Sequence, residues 1–178
     1  MLRTLILAVI FSSAVGCAPV QVADYKDMQP VLVLEQFFDG HLTAHGVVKN
    51  RSGRVIRHFN ADITGQWVDG VGTLTEDFVF DDGEQQRRVW TLTQVGDGRF
   101  TGTAGDVIGT GKGQLAGNSL FLDYVLRIPY QGDTIDVRVD DRMYLVSPDV
   151  LINESRLIKF GLEVGSLLLV IARQPVPE

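Results

Sequence analysis

Glu76 and Arg88 stand at equal distances on either side of Asp82, within the segment Asp81-Asp82-Gly83. A three-residue loop with glycine in the left-handed position closes a hairpin at such a segment. The register then puts Phe80 opposite Glu84, Phe78 opposite Gln86, Glu76 opposite Arg88 and Leu74 opposite Trp90. A carboxylate facing a guanidinium on a strand face that also carries Leu74, Phe78 and Phe80 is an ion pair among apolar neighbours. Such a pair either fixes strand register or lines an interior and orients the polar group of a ligand. Asp106 shares its alternation phase with Phe100, Gly102 and Ala104, which makes it a second candidate interior carboxylate near Glu76. Two close carboxylates raise one pKa and suit acid–base work; beside Gly105 and Gly109, Asp106 serves equally as a turn or bulge residue. With Gly117-Asn118 as a two-residue turn, Gly113, Gly111 and Gly109 fall opposite Leu122, Tyr124 and Leu126. Missing side chains there give large partners room to lie across the strand, or leave space inside the sheet. The ligand-binding candidates are therefore Glu76, Arg88, Trp90, Asp106 and Tyr124.

Other groupings point to no chemistry of their own. Asp140, Asp141 and Arg142 suggest a cation or head-group site, but alternation sets Asp140 with Asp136, Arg138 and Arg142, which reads as a solvated charged face. His41 and His45 lie roughly 13 Å apart on a strand, and no further ligands accompany them, so no metal is expected. Gly109-Thr110-Gly111-Lys112-Gly113 lacks the first glycine and the Ser/Thr of a phosphate loop. There is no nucleophile elbow, paired-cysteine motif or dinucleotide fingerprint. No catalytic residue and no cofactor is expected.

These side chains need a sheet to position them, and the chain supplies the pattern of one. From Arg54 to Trp67, odd positions carry Val55, Phe59, Ala61, Ile63, Gly65 and Trp67, while even positions are mostly polar, with Ile56 and Arg57 as exceptions. Period two of that length describes a tilted barrel strand with one buried face. Turn signals recur at Asn50-Arg51-Ser52-Gly53, Asp69-Gly70, Asp81-Asp82-Gly83, Gly96-Asp97-Gly98, Gly117-Asn118 and Gln131-Gly132-Asp133. Strands of about ten residues joined by tight turns form a meander, and closing it removes exposed edges. The expected fold is all-β: an antiparallel up-and-down barrel or half-barrel, lipocalin-like, of roughly 8–10 strands. Helix is expected only near Met28–Phe38 or Ser147–Lys159, and Leu167–Ala172 reads as a buried strand.

The N-terminus addresses location. Arg3 precedes an apolar run, Leu5–Phe11, followed by small residues, which together read as a secretory signal too short for the roughly 20 residues of a bilayer span. Its end, Ala14-Val15-Gly16-Cys17, resembles the lipobox of bacterial lipoproteins, and Cys17, the sole cysteine, is the expected lipidation site. Ala18 rather than Asp follows it, which by the same resemblance implies the outer membrane, facing the periplasm. The expected division is 1–16 signal peptide, 17–30 lipidated tether and 31–178 one barrel domain.

The 178 residues, 45% hydrophobic and 21% charged, suffice for one real core. A formal net charge of −6 repels phosphate backbones, so no nucleic-acid partner is expected. Several stretches, taken together, resemble the domain of unknown function 3833 family of Gram-negative envelope proteins: Phe37-Phe38-Asp39-Gly40, Arg51-Ser52-Gly53-Arg54, Gly72-Thr73-Leu74-Thr75-Glu76-Asp77-Phe78, Asp82-Gly83 with Arg88 and Trp90, Ala104-Gly105-Asp106-Val107, and Asp140-Asp141-Arg142-Met143-Tyr144. The resemblance covers about Phe37–Leu168 and implies an envelope location without supplying an activity; the family's expected aromatic at position 142 is here arginine. The sequence leads to a non-enzymatic, periplasm-facing, membrane-anchored lipoprotein whose barrel binds a lipid or other apolar or amphipathic ligand. The alternatives are a non-catalytic structural or interaction module of the envelope, and an enzyme using Glu76 and Asp106.

Overall fold

In the computed structural model, residues 19–175 are described. The signal peptide and Cys17 lie outside them. Ten antiparallel strands close into a barrel: β1 (Gly40–Asn50), β2 (Val55–Val68), β3 (Val71–Phe80), β4 (Gln85–Gly96), β5 (Arg99–Thr103), β6 (Val107–Ala116), β7 (Ser119–Tyr130), β8 (Asp133–Ser147), β9 (Val150–Lys159) and β10 (Leu162–Arg173). Each strand pairs with its sequence neighbour, and β1 also pairs with β10, so no edge is left at that seam. The register deduced for the β3–β4 hairpin holds throughout, with Glu76 opposite Arg88 and Leu74 opposite Trp90. Period-two patterning holds in β2, where Phe59, Ala61 and Ile63 are buried; Val55 and Ile56, near the strand's start, are exposed. Ser147–Lys159, one of the two stretches where a helix was expected, is largely strand β9.

Two expectations need correcting. Gly113 does face Leu122, but the β6–β7 register shifts between Ile108 and Lys112, so Leu126 faces Val107 instead of Gly109. Gly109 has φ +71°, and this left-handed residue accommodates the irregularity. Leu167–Ala172 is a strand, but it is not buried on both faces. Leu167, Leu169 and Ile171 point inward, whereas Leu168 and Val170 are more than a third exposed.

The barrel is stoppered at one end. A helix of one turn, α1 (Leu34–Phe37), is within the region where a helix was expected. It sinks Leu34, Phe37 and Phe38 among Leu42, Ile63, Leu74, Leu92, Phe100 and Leu120. Upstream, a 3-10 turn (Val22–Tyr25) packs on β6 and β7, and Tyr25 sits between Phe121 and Tyr144. Part of the stretch expected to be a tether is thus laid on the barrel. Leu32 N–H donates to the Gly117 carbonyl, fastening the stopper to the β6–β7 turn.

The opposite end is open, and the wall there is incomplete. Gln85–Trp90 of β4 pairs only with β3, because β5 begins its pairing at Thr91. On the far side of this gap, the β5–β6 connection is held to β7 by the Arg127 N–H donating to the Asp106 carbonyl.

Candidate functional site

Three levels of side chains fill the barrel along its axis. Nearest the stopper the lining is apolar, with Leu74, Trp90, Leu92, Phe100, Leu120 and Leu122. Above it runs a polar belt contributed by successive positions of five strands: Glu76 from β3, Arg88 from β4, Tyr124 from β7, Asp141 from β8, and Asn153 and Ser155 from β9. Above that, Phe59, Phe78 and Phe80 from β2 and β3 stack edge and face along one wall of the mouth. The belt arises because alternation aims every second residue inward, and at this level the inward residue is polar on half the strands.

The structure brings the sequence candidates together. Arg88 Nε and Nη2 bind both oxygens of Asp106 at 2.8–3.1 Å, and Arg88 Nη1 lies 3.7 Å from Glu76. Asp106 therefore acts less as a bulge residue than as the clasp across the wall gap, since Arg88 belongs to the strand on the other side. Trp90 and Tyr124 meet edge to face at 5.1 Å, which suits their ring quadrupoles. Burial pushes the Glu76 carboxyl up to about 7, partly offset by Arg88. Burial likewise drives the Tyr124 phenol well above its usual value, so it remains a neutral hydroxyl.

Asp141 was missed as a site residue. It is 5% exposed and faces inward, while Asp140 pairs with Arg142 and Arg156. Ser155 Oγ donates to Asp141 Oδ1 at 2.8 Å, and Asn153 Nδ2 donates to the same oxygen. Burial raises the Asp141 carboxyl to about 6 against the lowering effect of those two bonds. The signal was present in the sequence: alternation sets position 141 with Val139 and Met143, but an acidic run reads as a solvated face. Among the described residues no group of three or more His, Cys, Asp or Glu side chains is arranged to hold a metal ion.

Two adjoining spaces result. An inner cavity of about 110 Å³ lies between the stopper and the aromatic wall. A wider mouth of about 850 Å³ is bounded by Arg57, Phe80, Gln86, Asp106, Ile128 and Leu157, among others. Phe59, Phe78, Arg88 and Leu167 line both, so the two adjoin across these side chains. The inner cavity alone is smaller than the roughly 300–1,000 Å³ of a small-molecule pocket, whereas the mouth lies within that range.

A family model described as protein of unknown function (DUF3833) matches residues 11–173. Among solved structures, the barrel is similar to the S-type phycobiliprotein lyase CPES from Guillardia theta, with a TM-score of 0.61 at 13% identity, covering 89% of this chain and 100% of that one. A protein of unknown function from the DUF3598 family of Nostoc punctiforme aligns with a TM-score of 0.59 at 16% identity, over 82% of this chain and 51% of that one. Rv2717c from M. tuberculosis gives 0.55 at 16% identity, over 78% and 93%. At such identities the likeness establishes the lipocalin-like barrel and nothing further. No curated protein matches the sequence.

Proposed function

The chain belongs to the family of proteins of unknown function DUF3833, and from that premise we propose that its barrel is a non-catalytic receptacle for an apolar or amphipathic small molecule. The observation that carries this reading is the pair of adjoining spaces between the open mouth and the stopper, apolar above and below one polar belt. Such a layout matches how small-molecule sites are built: apolar walls supply affinity, and a few fixed polar groups supply orientation. Glu76 and Asp106, the candidate acid–base pair, both lie against Arg88, which suits holding a polar group better than moving protons.

Titration with the neutral solvatochromic dye Nile red tests the receptacle. Saturable binding with a dissociation constant on the order of 10 μM is expected. Ala44, 1% exposed, lines the inner cavity, so Ala44→Phe should fill it and weaken the dye at least about tenfold. Failure of the dye to saturate, or undiminished binding by a folded Ala44→Phe protein, defeats the reading.

The same proposal holds the barrel at the outer membrane, facing the periplasm, through an acylated Cys17. Its support is the signal-like segment that ends at the sole cysteine, with Ala18 following. Several buried acyl chains, at about 0.8 kcal/mol per CH₂, give lasting attachment. Cys17→Ser should move the protein from the membrane pellet to the soluble fraction; persistence in the pellet would refute lipid anchoring.

A further inference from the structure

We propose that the polar belt selects a ligand whose head is a cationic nitrogen with N–H donors, seated at Asp141, with its apolar body directed toward the mouth. This rests on the reading of the barrel as a receptacle and names the chemistry it would take.

The argument is a charge audit of the walls. Four guanidinium groups line the two spaces, and each is already paired: Arg57 with Asp82 and Glu84, Arg87 with Asp77, Arg88 with Glu76 and Asp106, and Arg127 with Asp136. An anionic head, such as the carboxylate of a fatty acid, would add negative charge beside guanidinium groups whose charge is already matched, although Arg57 Nε keeps an N–H without a partner. The lining carboxylates Glu76, Glu84 and Asp106 are paired in turn. Asp141 is the exception among the described residues: no cation lies within 4 Å of it, although it lines the inner cavity and is nearly fully buried. Both of its protein hydrogen bonds fall on Oδ1, which leaves Oδ2 to a guest.

Arg88 alone faces Glu76 and Asp141 of the belt and Asp106 of the mouth; with the Glu76 carboxyl raised to about 7 and able to keep its proton, Arg88 matches Asp106, and Asp141 is left without a counter-charge. In surroundings of low dielectric that imbalance is relieved by one more positive charge. The rise of the Asp141 carboxyl to about 6 is in keeping with a carboxylate that lacks a counter-ion. The ring of Tyr124 in the belt and that of Trp90 just below it, which line the same cavity, add a preference for cations over anions. Size sets the direction: about 110 Å³ beside the belt admits a head, and about 850 Å³ above it admits a body.

Displacement of Nile red by three matched amphiphiles, dodecylamine, dodecanol and dodecanoate, kept below their micelle concentrations, decides the matter. Dodecylamine should displace the dye at a concentration about tenfold below that needed for dodecanoate. Asp141→Asn, which keeps the side chain's size, should shrink that ratio to about threefold or less while leaving dodecanol unchanged. The ranking in the unaltered protein needs no variant and stands even if Asp141→Asn does not fold. Equal displacement by all three, or a preference for dodecanoate, overturns the cationic head while leaving the receptacle intact. An unchanged ratio in folded Asp141→Asn overturns the assignment to Asp141. Absence of dye binding in the first place removes both readings.

Discussion

Gly65→Ala should cost about 4 kcal/mol in urea unfolding, far more than Gly70→Ala a few residues on. Both glycines belong to the β2–β3 hairpin, yet they face different surroundings. A Cβ at Gly65 would sit 1.6 Å from the Phe38 carbonyl oxygen and 2.8 Å from its carbon, both backbone atoms that no rotamer change can move. The stopper must lift instead, and with it Leu34, Phe37 and Phe38, which are 2–4% exposed. Each such side chain contributes roughly 1.5–3 kcal/mol through burial, so partial withdrawal of three accounts for the figure. At Gly70 a Cβ meets nothing within 4 Å, and only the φ of +77° opposes it, which costs about 1–2 kcal/mol. Hydrogen exchange at Leu32–Phe38 should quicken in Gly65→Ala alone. Equal losses at the two sites would mean that the stopper is not seated on β2 as described.

That contact also marks the limit of what the residues announce in one dimension. Alternation is a local property, so the sheet and the β3–β4 register follow from spacing alone, whereas the choice between barrel and half-barrel is made only by the pairing of β1 with β10. Leu74, Glu76, Phe78 and Phe80 face their partners as their positions require, because a turn of fixed length leaves no freedom. The stopper is a tertiary fact. Val31, Leu32, Val33 and Leu34 read equally as strand or helix, and only the open barrel end they cover decides between them. The Gly109 irregularity was hidden for a related reason. Here β6 carries residues 109–111 where β7 has only Tyr124, a shift of two residues that leaves no mark in composition, so counting outward from Gly117-Asn118 succeeds to Lys112 and then fails. For Asp141 the period pointed inward and the charge pointed outward; the structure resolves the conflict through Asn153 and Ser155, donors on a strand with which β8 pairs. Those partners lie a dozen residues away in sequence, beyond any local pattern.

Arg88→Met should destabilise the protein by an amount that depends on pH: about 1 kcal/mol near pH 5.5 and about 3 kcal/mol near pH 8.5. Removing one member of a buried pair commonly costs 3–5 kcal/mol, because the other charge is stranded. Here the two partners behave differently. Asp106 is 37% exposed and can recover water, so its share is small and nearly constant. Glu76, 16% exposed, cannot. Its carboxyl is raised to about 7 in the folded protein against an ordinary 4.5, so in the unaltered protein its contribution to stability is fully present below 4.5 and is lost as pH rises through about 7. Asp141, raised to about 6 from 3.8, acts in the same direction. Below pH 7 Glu76 is protonated in the fold with or without Arg88, and the substitution hardly concerns it. Above pH 7 the native protein releases that proton with help from the guanidinium, whereas in Arg88→Met the carboxyl must hold it against the solvent. The extra cost therefore opens only on the alkaline side. The clasp across the wall gap disappears at every pH, so exchange at Gly105–Val107 should rise in both conditions. A stability loss independent of pH would show that Glu76 does not depend on Arg88, and would return the pair to a mere register mark on the β3–β4 hairpin.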